Sequence, residues 1–309
     1  MEIFQKTIKK KITFTGITLH AGVFTTITLL PAKINTGIVF VRTDQKKKQP
    51  ILANWSNVQI ANLCTVIKGI NGASVSTIEH LMFAFYALGI TNVIIEVDGP
   101  EIPILDGSSL QFINSLKNNE LTNQKLLIPT ITINKSIEVI EGSKFIKYNP
   151  SENDFLEVKY TLDYNDQFIK KQSKIIKNIQ KNYENIYNAR TFCHQEDLEK
   201  IFAMGLAKGG SLENAIVISG NRILNQNGLR YKDEFVRHKI LDCVGDLYLS
   251  GFFLKGKISC YQGGHELTHK LIKKIFLDKK NYTIQKAGDI KENKINTTNK
   301  LNKRYKLAV

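Results

Sequence analysis

Nowhere does the chain carry an apolar run of about 18 residues, the length a membrane-spanning helix needs, so stable membrane insertion is not expected. The first residues, Met1 to Lys11, lack the apolar centre of a secretory signal, and a cytoplasmic location is expected. Cysteine is sparse: Cys64, Cys193, Cys243 and Cys260 stand far apart with no Cys-x-x-Cys pair. That spacing argues against a disulfide framework and against a thiolate zinc site. Acidic residues are also short, 28 Asp/Glu against 43 Lys/Arg, for a net charge of +15. Such a balance raises the question of an anionic partner, and a basic nucleotide- or nucleic-acid-binding module without catalysis is the alternative to an enzyme. The excess is concentrated at one end, however. Residues 270–309 hold 12 Lys/Arg against 3 Asp/Glu, so a nucleic-acid partner is not expected.

What is present is globular: 42% hydrophobic residues in 309, enough for two domains each with its own core. The first 60 residues alternate in strand fashion, as in Phe24 to Leu30 and Gly37 to Arg42, with a glycine-flanked loop that carries His20. Residues 74–89 read as a helix entered through Ser/Thr and ended by Gly89, with Ser76 and Glu79 at capping-box spacing. A strand over 92–97 and a helix from Leu110 to Leu116 close a first domain at about residue 125. Strands over 130–134, 136–140, 144–148 and 155–160 open a second domain, 126–280, repeating the strands-then-helix order. The run 170–181 reads as a helix with a basic, solvated face. Beyond Lys279 apolar periodicity is lost, and a poorly ordered basic tail over 281–309 is expected. Segregated strands and helices predict an α+β fold of two similar domains, each a sheet layered against helices.

The chemistry is concentrated in Asp233 to Leu249, a helix with Asp233 as N-cap and Gly251 as its stop. His238 and Asp242 are four residues apart, so imidazole and carboxylate share one face and can reach one cation, and Asp246 continues the stripe. Two ligands do not complete a site. Glu79-His80 supplies the third in His80, with the Glu79 carboxylate beside it to address a water. The result is a two-His, one-carboxylate set: His80, His238 and Asp242.

Longer blocks now carry a family resemblance: Ser76-Thr-Ile-Glu-His-Leu81, Glu101 to Ser108, Ala189-Arg-Thr-Phe192, Gly209 to Val217 and Asp233 to Leu249, with Leu19-His-Ala-Gly22 and Asn35 to Ile38. In order over roughly residues 1–280 they resemble the UDP-3-O-acyl-N-acetylglucosamine deacetylases. The resemblance implies a zinc amidase with one Zn2+ per chain, placed at the interface of two α+β domains. Its substrate would be UDP-3-O-(3-hydroxyacyl)-N-acetylglucosamine, deacetylated at the committed step of lipid A synthesis in Gram-negative bacteria, and a monomer is expected. It further implies His80, His238 and Asp242 as ligands and Glu79 as general base. Thr191 and Lys239 would stabilise the oxyanion, and His265, paired with Asp246, would protonate the leaving amine. Phe192, Lys144, Met204, Leu206 and His20 would contact substrate. One departure stands out: Cys193-His194 follows Phe192 where the family usually has Gly-Phe.

Overall fold

A computed structural model of the chain describes residues 4–164 and 168–285. Strict alternation in Phe24–Pro31 turns Thr25, Ile27 and Leu29 inward, and Val93–Val97 does the same with Val93, Ile95 and Val97. These strands centre a five-stranded sheet ordered Ile12–Ile17, Phe24–Pro31, Val93–Val97, Ile38–Arg42, Pro50–Leu52. Only the Ile38–Arg42 and Val93–Val97 pairing in it is parallel. Phe4–Ile8 pairs antiparallel with Leu121–Leu127 and so ties the two ends of this half together.

Helix α1 (Glu79–Leu88) follows Ser74–Ser76 and is stopped by Gly89 at φ 73°; α2 is Leu110–Asn118. Phe112 of α2 packs edge-on against Phe14 of the sheet at 5.0 Å. The helix expected over 74–89 is therefore shorter. Because Ser76 belongs to a strand, no capping box forms, and Ile78 precedes the helix without a side-chain cap.

The second half is a seven-stranded sheet around Phe253–Tyr261. That strand runs parallel to Thr130–Ile133 over Phe253 to Lys255, and from Gly256 on it exchanges this pairing for Leu156–Asp163, parallel, and Lys144–Asn149, antiparallel. Gly256 stands at the exchange with φ 137°, and a Cβ there would lie 2.6 Å from the Tyr148 ring and 2.7 Å from Asn149 O. Only glycine fits the place. Ile137–Glu141 and the hairpin of Leu156–Asp163 with Lys171–Ile176 widen the sheet.

Short helices α3 (Ile179–Asn182) and α4 (Leu198–Ala203) precede the long α5 (Glu234–Leu247) and α6 (His265–Leu277). The run 170–181 is thus mostly a strand: its Lys/Ile interleaving has period two over Lys171–Ile176 and becomes helical only at Ile179. Tyr282–Gln285, which the sequence places in the tail, is an edge strand on Thr130–Ile133. The rest of the expected tail, 286–309, lies outside the described residues. The architecture is α+β.

Helices α1 and α5 pack on each other, and α1 also contacts α2 while α5 contacts α6. Gly245 sets the α1–α5 distance: a Cβ there would stand 2.1 Å from Glu79 O and 3.2 Å from Phe83 N. The two backbones touch directly, which brings Glu79-His80 over the polar stripe of α5. Gly245→Ala is accordingly expected to cost about 1–3 kcal/mol by overpacking and to weaken metal binding at the same time. Urea denaturation and metal titration check this; unchanged values for both would show that the helices have slack.

Candidate metal centre and its surroundings

The site is assembled from three segments. His80 comes from the first turn of α1, and His238 and Asp242 come from successive turns of α5. The third segment, Ala189 to Phe192, is held over the start of α5 by a buried ion pair: Arg190 donates through Nε to Glu234 Oε1 at 2.9 Å and through its backbone N–H at 3.0 Å. That anchoring presents Ala189 O to His238 Nδ1 at 3.1 Å. Nδ1 therefore carries the proton, and Nε2 keeps its lone pair for a ligand.

His80, His238 and Asp242 offer ligand atoms all within 4.8 Å of one another, and all three are buried. Asp242 Oδ1 lies 3.5 Å from His80 Nε2 and 3.3 Å from His238 Nε2, the two rings standing edge to face at 5.0 Å. That oxygen is buried and has no hydrogen-bond partner within ordinary distance. A carboxylate oxygen without a hydrogen-bond partner and two imidazole nitrogens converging on one point fit a divalent cation. Burial, above all, with the Lys239 ammonium nearby acting the same way, pushes His238 down to about 3, so its imidazole is neutral. Burial works against the charge on Asp242, but the Lys239 ammonium beside it helps hold its carboxyl well below the usual range. Its second oxygen, Oδ2, accepts from Lys239 Nζ at 3.0 Å.

Beside the cluster lies a buried carboxylate with an imidazole facing it. Glu79 is 3% exposed, and burial, only partly offset by His265 and His80, raises it to about 7. Its Oε2 accepts from the Thr65 backbone N–H at 3.1 Å, and its Oε1 is 3.9 Å from His265 Nε2. His265 opens α6, where burial and the helix N-terminus both disfavour an imidazolium. The carboxylate of Asp246, 2.7 Å from His265 Nδ1, reverses this and raises the group to about 9. Asp246 also accepts from Thr65 Oγ1 at 2.5 Å.

A cavity of about 710 Å³ opens from these groups. His20, Thr191, Phe192, Lys144 and Lys239 all line it, as do the unusual Cys193 and His194. Met204 and Leu206 do not, although their neighbours Ile201, Phe202 and Ala207 do; Met204 is half exposed. Phe192 stacks edge-on against Phe235 at 4.8 Å. The far part of the lining is apolar, with Leu198, Ile201, Leu212, Val217 and Leu224. Four lining residues, Leu63, Thr77, Ala207 and Gln262, have φ between 49° and 64°, uncommon for residues other than glycine. Two of them are pinned by hydrogen bonds: Thr77 Oγ1 donates to the buried Glu101 at 2.7 Å, and Gln262 N donates to Thr161 O at 2.9 Å. Glu101 also accepts the backbone N–H groups of His20 and Ala21, which fixes the His20 loop.

Asp233 sits at the N-cap position of α5 but makes no capping bond, because its carboxylate is engaged by Arg237 and Lys174. Sequence reading missed Thr65, Glu101, His269 and the Arg190–Glu234 pair. Each is a polar residue whose partner is remote in sequence, so no spacing signals it.

Comparison with known proteins gives the family of the chain. The family model described as UDP-3-O-acyl N-acetylglycosamine deacetylase matches residues 5–277. The UDP-3-O-acyl-N-acetylglucosamine deacetylase of Haemophilus ducreyi is 41% identical over 281 residues, covering 90% of this chain and 91% of the relative. Those of Histophilus somni and Pasteurella multocida are 40% and 41% identical over 277 and 279 residues, each covering 88% of this chain and 89% and 90% of the relative. With a family model spanning nearly all of the described chain and relatives of this identity, the chain belongs to the UDP-3-O-acyl N-acetylglycosamine deacetylase family.

Proposed function

We propose that this chain hydrolyses the linear amide of UDP-3-O-(3-hydroxyacyl)-N-acetylglucosamine, giving acetate and the free amine, the committed step of lipid A biosynthesis. The observation that carries the reading is the placement of the Glu79–His265 pair, 3.9 Å apart, against the His80, His238 and Asp242 cluster at the polar end of the cavity. Zn2+ is the cation that two histidines and one carboxylate suit best. Held there, it supplies positive charge that polarises the amide carbonyl, eases deprotonation of water and favours the ionised form of Glu79.

Glu79 takes a proton from the attacking water. His265 gives its Nε2 proton to the departing nitrogen, while Asp246 holds the ring by Nδ1 and keeps it charged until then. Thr191 and the Lys239 ammonium balance the negative charge that develops on the carbonyl oxygen. Burial lowers the affinity of Lys239 for its proton, but Asp242 beside it more than compensates, so the ammonium persists. Phe192 and the apolar end of the cavity receive the acyl chain; His20 and Lys144 address the polar and anionic parts of the substrate. Met204 and Leu206, outside the lining, act at most through their neighbours. The non-catalytic basic module has no feature of the site in its favour.

We further infer a division near residue 125 into two units with the site between them, and a monomer working in the cytoplasm without nucleic acid. Among the described residues no helix is long and apolar enough to cross a membrane.

The experiment is acetate release by chelator-stripped protein titrated with zinc. Activity rising to a plateau at one equivalent supports the assignment; no activity from folded, metal-loaded protein overturns it. The pH dependence has a defined sign. Glu79 must be deprotonated and His265 protonated, so kcat/KM rises through the Glu79 titration at or below about 7 and falls through that of His265 at about 9. His265→Ala removes the alkaline fall, as profiles from pH 5 to 10 would reveal.

A further inference from the structure

Thr65, 1% exposed and immediately ahead of the strand Val66–Lys68, touches both halves of the acid–base pair. Its backbone N–H donates to Glu79 Oε2 at 3.1 Å, and its hydroxyl lies 2.5 Å from Asp246 Oδ1. A hydroxyl has one proton, and an ionised carboxylate can only accept, so that proton goes to Asp246. Whatever else meets Thr65 Oγ1 must then donate to it. His269, one turn beyond His265 on α6, does so from Nε2 at 3.0 Å. Its tautomer follows: Nε2 carries the proton and Nδ1 is bare, in keeping with a buried Nδ1 that has no hydrogen-bond partner. His265 Nδ1 is 3.2 Å from the same hydroxyl and 2.7 Å from Asp246 Oδ2, its nearer acceptor. Both oxygens of Asp246 are thereby fixed, one by the histidine it serves and one by Thr65.

We infer that Thr65 and His269 are positioning residues: Thr65 holds Glu79 and the Asp246–His265 couple in register across the reaction site, and His269 fixes the direction of the Thr65 hydroxyl. This rests on the deacetylase reading for its chemical meaning, though not for its wiring. Without the hydroxyl, Asp246 Oδ1 is left buried and unpaired, and the carboxylate can swing away from the angle that aims His265 at the leaving nitrogen. Substrate contacts are untouched, so the loss falls on kcat.

Thr65→Val, nearly isosteric, is expected to lower kcat about tenfold or more with KM within about twofold, and Thr65→Ser to keep kcat within about threefold of wild type. His269→Leu should behave as Thr65→Val does, and His269→Gln, which returns an N–H at similar reach, should recover most of the rate. An unchanged zinc stoichiometry in all four, with a melting transition that stays cooperative and moves only by the lost hydrogen bond, excludes a collapsed site. Imidazole 15N spectra give a second reading independent of turnover. Wild type should show His269 as the Nε2–H tautomer and a downfield His265 Nδ1 proton; Thr65→Val should move both sets of signals, and Thr65→Ser restore them. A wild-type kcat in Thr65→Val, a serine variant no better than the valine, or ring signals indifferent to the hydroxyl would each overturn the inference. Wild-type enzyme that releases no acetate would instead remove the deacetylase reading, and the spectra would still decide the wiring.

Discussion

Replacing Glu79 with glutamine is expected to reduce kcat by roughly 10²–10⁴-fold, the usual worth of a positioned general base, while the protein keeps one equivalent of metal. Glutamine retains the carbonyl oxygen that accepts the Thr65 N–H and fills the same space in a helix turn that is wholly buried. It has no lone pair basic enough to take a proton from water. The adjacent His80, a proposed ligand, is unaffected by a change that adds no bulk, so metal content measured after desalting should match wild type. Turnover within about threefold of wild type would remove Glu79 from the chemistry.

His238→Ala should have the complementary outcome: metal lost on desalting, and turnover lower by about two to four powers of ten because charge stabilisation at the carbonyl goes with it. The change removes one of three converging ligand atoms and leaves Asp242 Oδ1 facing a single imidazole. It also frees Ala189 O from its buried bond to Nδ1, so the segment bearing Thr191 and Phe192 loses one tie, though Arg190 still clasps Glu234. Asp242→Asn separates the two effects, since it keeps the shape and withdraws only the charge. If His238→Ala held zinc as tightly as wild type and turned over normally, the ligand set would be wrong.

The polar stripe of α5 was legible because a helix repeats every 3.6 residues, and His238, Asp242 and Asp246 obey that repeat amid apolar neighbours. Several strands, among them Phe24–Pro31, Val93–Val97 and Lys144–Asn149, were legible in the same way, by alternation. Misreadings arose where two local patterns competed. Ser76 and Glu79 have capping-box spacing, yet Ser76 pairs with Val66 in a small sheet, and Glu79, turned toward Thr65 and His265, has other work. Lysines at 170, 171, 174 and 177 space themselves as on a helix face, but Ile175 and Ile176 belong to a strand paired with Leu156–Asp163. What sequence could not display is contact between remote single residues. Thr65 is an ordinary threonine until folding sets it against Asp246, and Glu101 an ordinary glutamate until three donors close on it.

The ligand cluster draws one imidazole from the early part of the chain and an imidazole and a carboxylate from the late part, across a seam where α1 and α5 touch backbone to backbone. A cation seated there is therefore a clasp as well as a reagent. The unfolded chain cannot bring those three groups together, so every increment of free metal above the dissociation constant is an increment of folding stability, about 2.7 kcal/mol at a hundredfold excess. Chelation should slacken the seam before it disturbs either sheet, and supply of the metal governs how long the molecule lasts as well as how fast it works.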